Sequence, residues 1–335
     1  MSSNGQTAGL TAPEIANLWN AYMYNSMTRR MLEFFNASAD DPDTQNILAK
    51  ALLAAKKYEE ASGELMRGEN MPLPRGFTEE DVDVNAPRLF SDIFILTFLK
   101  HMSGFGLEAY GMMLGISTRS DVRKLFMNML ETTIELFNEV TDTMLNKGVY
   151  IRPPIIAKPD RADVVHKQSF FSGIIGNARP LLAVEITHIA LNIETNAVGN
   201  RLLLGFMQTA RDEKVRSYMK RGMNMAKKHE EILSSKLEAE DVPTPSDWDP
   251  GVTESKIPPY SDRLLMFVVT LLIASGMGNY GMAASISLRS DLPVVYARLI
   301  AEAARLAKEG ADIMIDNGWL EQPPQNINRR ALTTV

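Results

Sequence analysis

Residues 110–121 read YGMMLGISTRSD, and residues 280–291 read YGMAASISLRSD. Both stretches open on Tyr-Gly-Met and close on Ile-Ser-x-Arg-Ser-Asp, 170 positions apart. Working outward, residues 91–154 align with 261–324 without a gap, and 18 of those 64 positions are identical. The match ends with Gly148 on Gly318 and Pro153-Pro154 on Pro323-Pro324. One inserted residue carries it upstream at an offset of 171, where Glu14 falls on Glu185, Asn25 on Asn196, Arg30 on Arg201 and Phe35 on Phe206. AKKYEE at 55–60 then falls on AKKHEE at 226–231. The chain reads as a tandem duplication, with units at 8–154 and 178–324 joined by a linker at 155–177.

Each unit reads as four helices. In the first, apolar residues recur at helical spacing over 11–36, 43–69, 89–117 and 121–147. Asp40-Asp41-Pro42-Asp43 breaks the first pair, Ser120-Asp121 opens the fourth helix, and Gly148 lies just past its end. The short breaks make antiparallel hairpins of helices one and two and of helices three and four. Between helices two and three lies a long proline-bearing connection, MPLPRGFTEEDVDVNAP in one unit and VPTPSDWDPGVTESKIPP in the other. A connection of that length can run the height of a bundle and leave helices two and three parallel. One long crossover in a four-helix bundle is the ferritin-like pattern. The expected fold is therefore all-α, as two tandem ferritin-like four-helix bundles.

At 335 residues, 45% hydrophobic and 23% charged, the chain has the composition of a globular protein with a sizeable core. A net charge of −6 with no basic block argues against nucleic acid as a partner. With no cysteine there is no disulfide, thiolate nucleophile or cysteine-ligated metal. The first residues, MSSNGQTAGL, have no basic and apolar pattern of a secretion signal, and a cytoplasmic location is expected. Residues 264–288 carry no charge and are long enough to span a bilayer. Their counterpart at 94–118 holds Lys100, His101 and Glu108, which hydrocarbon would penalise. A buried helix is expected instead, with no membrane span.

The YGM…ISxRSD signature, the four helices and the crossover resemble an uncharacterised bacterial family, common in endospore formers, within the ferritin-like superfamily. Its members often carry two such units, and some relatives resemble spore-coat proteins. The resemblance covers nearly the whole chain. It implies the fold and a link to sporulation or stress, with a possible spore location, but no reaction.

Ferritin-like di-iron sites take a Glu from each of two helices and Glu-x-x-His from each of the other two. The chain has one Glu-x-x-His, at Glu185 and His188, whose counterparts are Glu14 and Asn17. In helix two of each unit a seam of alternating three- and four-residue steps passes through Ala55, Glu59 and Ser62, and through Ala226, Glu230 and Leu233. This predicts a glutamate facing the bundle interior and makes His229, a tyrosine in the first unit, incidental. The candidate metal ligands are Glu230, His188, Glu185 and His229, for iron, manganese or zinc. The competing reading is a hydrogen-bonded cluster of Asn25 or Asn196, Tyr110 or Tyr280, and the seam glutamate. The glycines at 104, 106 and 111 follow no strand and do not read as a nucleotide loop. Arg119 with Asp121, and Arg289 with Asp291, read as ion pairs locking a turn, with an anion site at the helix N-terminus as the alternative.

No cofactor is expected. A non-catalytic structural or interaction protein, self-associating through helices three and seven, is the first reading. A degenerate carboxylate metal protein or oxidase is the second. A helical protein holding an apolar ligand, suggested by the bundle core and 20 methionines, is the third.

Overall fold

The computed structural model describes residues 8–174, 178–244 and 251–329; the end of the expected linker (175–177) and part of the second crossover (245–250) lie outside the described residues. The chain is all-helical. Its α-helices are α1 (Ala12–Ser38), α2 (Pro42–Gly68), α3 (Asp92–Gly115), α4 (Ser120–Asn146), α5 (Ala183–Thr209), α6 (Glu213–Glu238), α7 (Asp262–Ile286) and α8 (Asp291–Asp316). The ends follow local chemistry. Thr11 and Glu14 form a reciprocal capping box, while Asp41, Ser91, Asp212 and Ser261 each accept a first-turn N–H. The expected boundaries of the first four helices hold to within three residues.

Hydrogen bonds at the two ends fix the direction of each helix. Asp92, opening α3, accepts from the N–H groups of Asp40 and Asp41 in the α1–α2 turn. Glu14, opening α1, accepts from Thr118 and Arg119 in the α3–α4 turn at 2.8 and 2.7 Å. Residues 69–91 must therefore run back along the helices, and α2 and α3 are parallel. The last four helices repeat the arrangement. Asp262 takes the N–H groups of Arg211 and Asp212, and Glu185 those of Leu288 and Arg289.

The two crossovers also hold the halves together. Asp83 N–H donates to the Pro259 carbonyl and Thr253 N–H to that of Leu89. Ser261 N–H donates to Asp81, and Ser91 N–H to Gly251. Adding 170 to the first-half residue of one bond and subtracting 170 from its second-half residue gives the other, and the isolated bridges Val82–Tyr260 and Phe90–Val252 are related in the same way. The contact has a local two-fold axis, as in an isologous dimer. Around it one core draws on both halves: Phe34, Phe35, Phe90 and Phe94 with Phe206, Tyr260 and Leu264. The first half of α7 lies in this core, with Leu264, Leu265, Met266, Val268 and Val269 buried. By length and apolar composition alone α7 could cross a membrane.

The symmetry is local and is broken nearby. Arg263, in the place of Ile93, is buried and donates to Asp81 at 3.2 Å, to the Gly76 carbonyl at 2.6 Å and to Glu321 at 3.0 Å. Its guanidinium also stacks 4.4 Å from the Phe77 ring centre.

Candidate functional site

The four residues singled out in the sequence occupy different surroundings. Glu185 is 1% exposed and fully engaged. Its carboxylate takes two 2.8 Å bonds from Arg179 and accepts the N–H groups of Leu182, Leu288 and Arg289. Burial alone would raise its pKa, but these donors bring it down to about 2. Glu14 does the same for the first half and is likewise held at about 2, chiefly by the Arg119 and Thr11 N–H groups acting against burial. The lone Glu-x-x-His is thus half of a turn-fastening device. Arg119 and Arg289 each pair with the aspartate two residues on, as the turn-lock reading expects.

His229 and Glu230 correct the expected seam. His229 is fully buried and Glu230 only half-buried. The inward line of α2 runs through Leu48, Ala51, Ala55, Tyr58, Ser62 and Met66, and that of α6 through Gly222, Ala226, His229, Leu233 and Leu237. Three- and four-residue steps are interchangeable on a helix, and here the three-residue step falls one position earlier than the seam through the glutamates required. Glu59 lies on the flank, paired with Arg29 at 3.2 Å. The polar cluster forms without either glutamate. Tyr280 and Asn196 bond to each other at 2.8 Å, His229 Nδ1 lies 3.0 Å from the Tyr280 hydroxyl, and His229 Nε2 lies 3.3 Å from Glu302. Lys228, Arg298 and His229 hold Glu302 at about 2. With Glu302 ionised, Nε2–H donates to it and Nδ1 accepts from the tyrosine. In the first half Tyr58 replaces His229, and its hydroxyl lies 2.6 Å from Thr132, at the position of Glu302.

These surroundings do not fit a di-iron group. Glu185 and His229 are taken up by partners, and Ser62 and Leu233 stand where the pattern needs histidine. Among the described residues no three His, Asp or Glu side chains converge as a metal would require.

Glu230 instead lines a cavity of about 670 Å³ between the halves, bounded by α3 and the end of α4 on one side and by α5, α6 and α7 on the other. Lys100, His101, Glu194 and Arg201 share its wall, with Phe105, Phe137 and Tyr150 supplying rings. Lys100 pairs with Glu194 at 2.5 Å and stands 5.0 Å from the Tyr150 ring centre. Burial depresses the pKa of His101, which has no hydrogen-bond partner among the described residues, and keeps it neutral. Burial raises that of Glu230 against an opposing pull from Arg201. His188 does not line the cavity; its buried Nδ1 has no hydrogen-bond partner among the described residues.

The repeat explains how this space opens. Thr97, Ala190 and Ile193 line the cavity, and at their related positions stand Phe267, Trp19 and Tyr22. Those three rings are half-buried and packed against the cores. Phe267 meets Phe77 at 5.0 Å and Tyr24 at 6.4 Å between ring centres. The polar wall is equally one-sided, since Lys100, His101 and Glu194 correspond to Thr270, Leu271 and Met23. Motif spacing cannot reveal this site, because it joins one face of α3, from Thr97 to Glu108, to one face of α5, from Thr187 to Arg201, and those helices lie in different halves. The signal in the sequence is the set of repeat positions where a ring in one unit becomes a small residue in the other.

A family model described as "Protein of unknown function (DUF3231)" matches the chain twice, over residues 1–161 and 169–332. No curated protein matches. Among solved structures, the chain is similar to one from Bacillus halodurans described as a "putative spore coat protein", at 23% identity and a TM-score of 0.42, over 46% of this chain and 100% of that one.

Proposed function

The chain belongs to the family of unknown function DUF3231, matched twice along its length, and on that premise we propose that it is a non-catalytic binding protein, built as two tandem ferritin-like bundles, that holds a small molecule between its halves. The ferritin-like reading is supported by the parallel course of α2 and α3 and the long connection between them. Any spore setting rests on the family resemblance set out in the sequence analysis.

One observation carries the binding role: a duplicated fold keeps rings on one side of its axis and opens a 670 Å³ cavity on the other. Such a volume lies within the range of roughly 300–1,000 Å³ typical of small-molecule sites. No reaction is assigned, since the cavity wall presents no nucleophile held by a base.

A neutral fluorescent probe, N-phenyl-1-naphthylamine, tests the reading. Saturable binding at one site per chain is expected. It should weaken at least tenfold in Thr97→Phe and in Ala190→Trp, which install the residues of the packed side. Binding that both folded variants retain would place the probe elsewhere and remove the proposal. Thr97 is half-buried at the wall, so its substitution serves even where the bulkier Ala190→Trp disturbs folding.

A further inference from the structure

Resting on the reading of this cavity as a binding site, we infer that its ligand is an organic cation, a protonated amine carried on an apolar body. The charge balance of the wall points that way. Glu108, Glu194, Glu230 and Glu238 face Lys100 and Arg201, four carboxylates against two cations. Lys100 is neutralised by Glu194, and Arg201 donates to the Ala197 carbonyl while its side chain packs beside Gly251. His101 adds no charge at neutral pH. Glu108 and Glu238 are exposed at the rim, whereas Glu230 is half-buried with no hydrogen bond or ion pair to any described residue.

A carboxylate drawn out of water without a partner is costly, and a cation placed beside it recovers that cost. An anionic ligand would add repulsion, and a neutral one would leave Glu230 with only the pull of Arg201 and Lys227 against its burial and the neighbouring Glu231. The rest of the wall suits the body of such a molecule. Phe105 and Phe137 line the cavity with aromatic rings, Tyr150 already holds Lys100 at its ring, and Met144 adds an adaptable apolar surface. The packed side of the axis has none of this arrangement. There the partner of Glu230 is Glu59, already paired with Arg29, and Met23 stands in place of Glu194.

Three probes of one skeleton separate charge from shape: 3-phenylpropylammonium, 3-phenylpropan-1-ol and 3-phenylpropionate, each titrated calorimetrically into the full-length protein and into Glu230→Gln. The ammonium should bind once per chain and about tenfold more tightly than the alcohol, as expected for one hydrogen bond to a charged group. The carboxylate should not bind. Glu230→Gln should bring the ammonium to the level of the alcohol, while Glu108→Gln at the rim changes it less than threefold. If alcohol and ammonium bind equally, or the carboxylate binds best, the charge assignment is overturned and the cavity reading survives. If none of the three binds, the ligand assignment falls, and failure of the neutral naphthylamine probe as well removes the binding role itself. Should Glu230→Gln not fold, the order of the three probes on the natural protein still decides.

Discussion

Glu185 illustrates how this chain uses a buried carboxylate. It fastens the α7–α8 turn to the start of α5, as Glu14 fastens the α3–α4 turn to the start of α1. Its role was half legible in the sequence. Its recurrence as Glu14 is visible in the sequence, where the spacing to His188 suggests a metal ligand; the Leu288 and Arg289 N–H groups that decide its role lie more than a hundred residues away, beyond the reach of spacing arguments. Glu185→Gln should cost about 2–3 kcal/mol in urea unfolding at pH 7, because an amide presents an N–H to some of the same donors. The pH dependence has a definite sign. A carboxyl whose pKa falls from about 4.5 unfolded to about 2 folded contributes fully above the unfolded value and loses that contribution as pH drops between the two. The stability gap between Glu185→Gln and the natural protein should therefore narrow from pH 5 to pH 3. A gap that stays constant across that range contradicts the assignment.

At the scale of the element, helix positions were legible and helix faces were less so. Caps are local: Ser91, Ser261 and Asp41 declare their helices within four residues. The buried line of α2 depends on its packing angle against α1 and α4, and a shift of one residue exchanges Glu59 for Tyr58. Glycines show the same dependence on neighbours. A Cβ on Gly205, near the C-terminal end of α5, would lie 2.6 Å from the Phe90 ring of the first crossover, whereas one on Gly199 of the same helix meets nothing within 4 Å. Gly199→Ala should stabilise by up to about 1 kcal/mol through helix propensity. Gly205→Ala should destabilise by about 2 kcal/mol, because the ring has to leave its place. Equal effects of the two substitutions on the thermal midpoint would contradict this account of how the crossover seats on α5.

Across the whole molecule, the repeat underlies the symmetry, and the differences between its two copies account for the cavity. The repeat was legible because identities survive at the turns and in YGM…ISxRSD. The joining of its halves through the crossovers was not, since those segments carry few of the identities and pair through backbone groups. The cavity follows from the same divergence. Where one side of the axis has Trp19, Tyr22 and Phe267, the other has Ala190, Ile193 and Thr97, and polar groups occupy the space released. The most direct measurement is a crystal structure of the full chain with 3-(4-bromophenyl)propylammonium, read by the anomalous signal of bromine. The account predicts one bromine per chain, between α3 and α5, with the ammonium beside Glu230. A bromine on the ring-filled side of the axis, or within the core of either half, would contradict it.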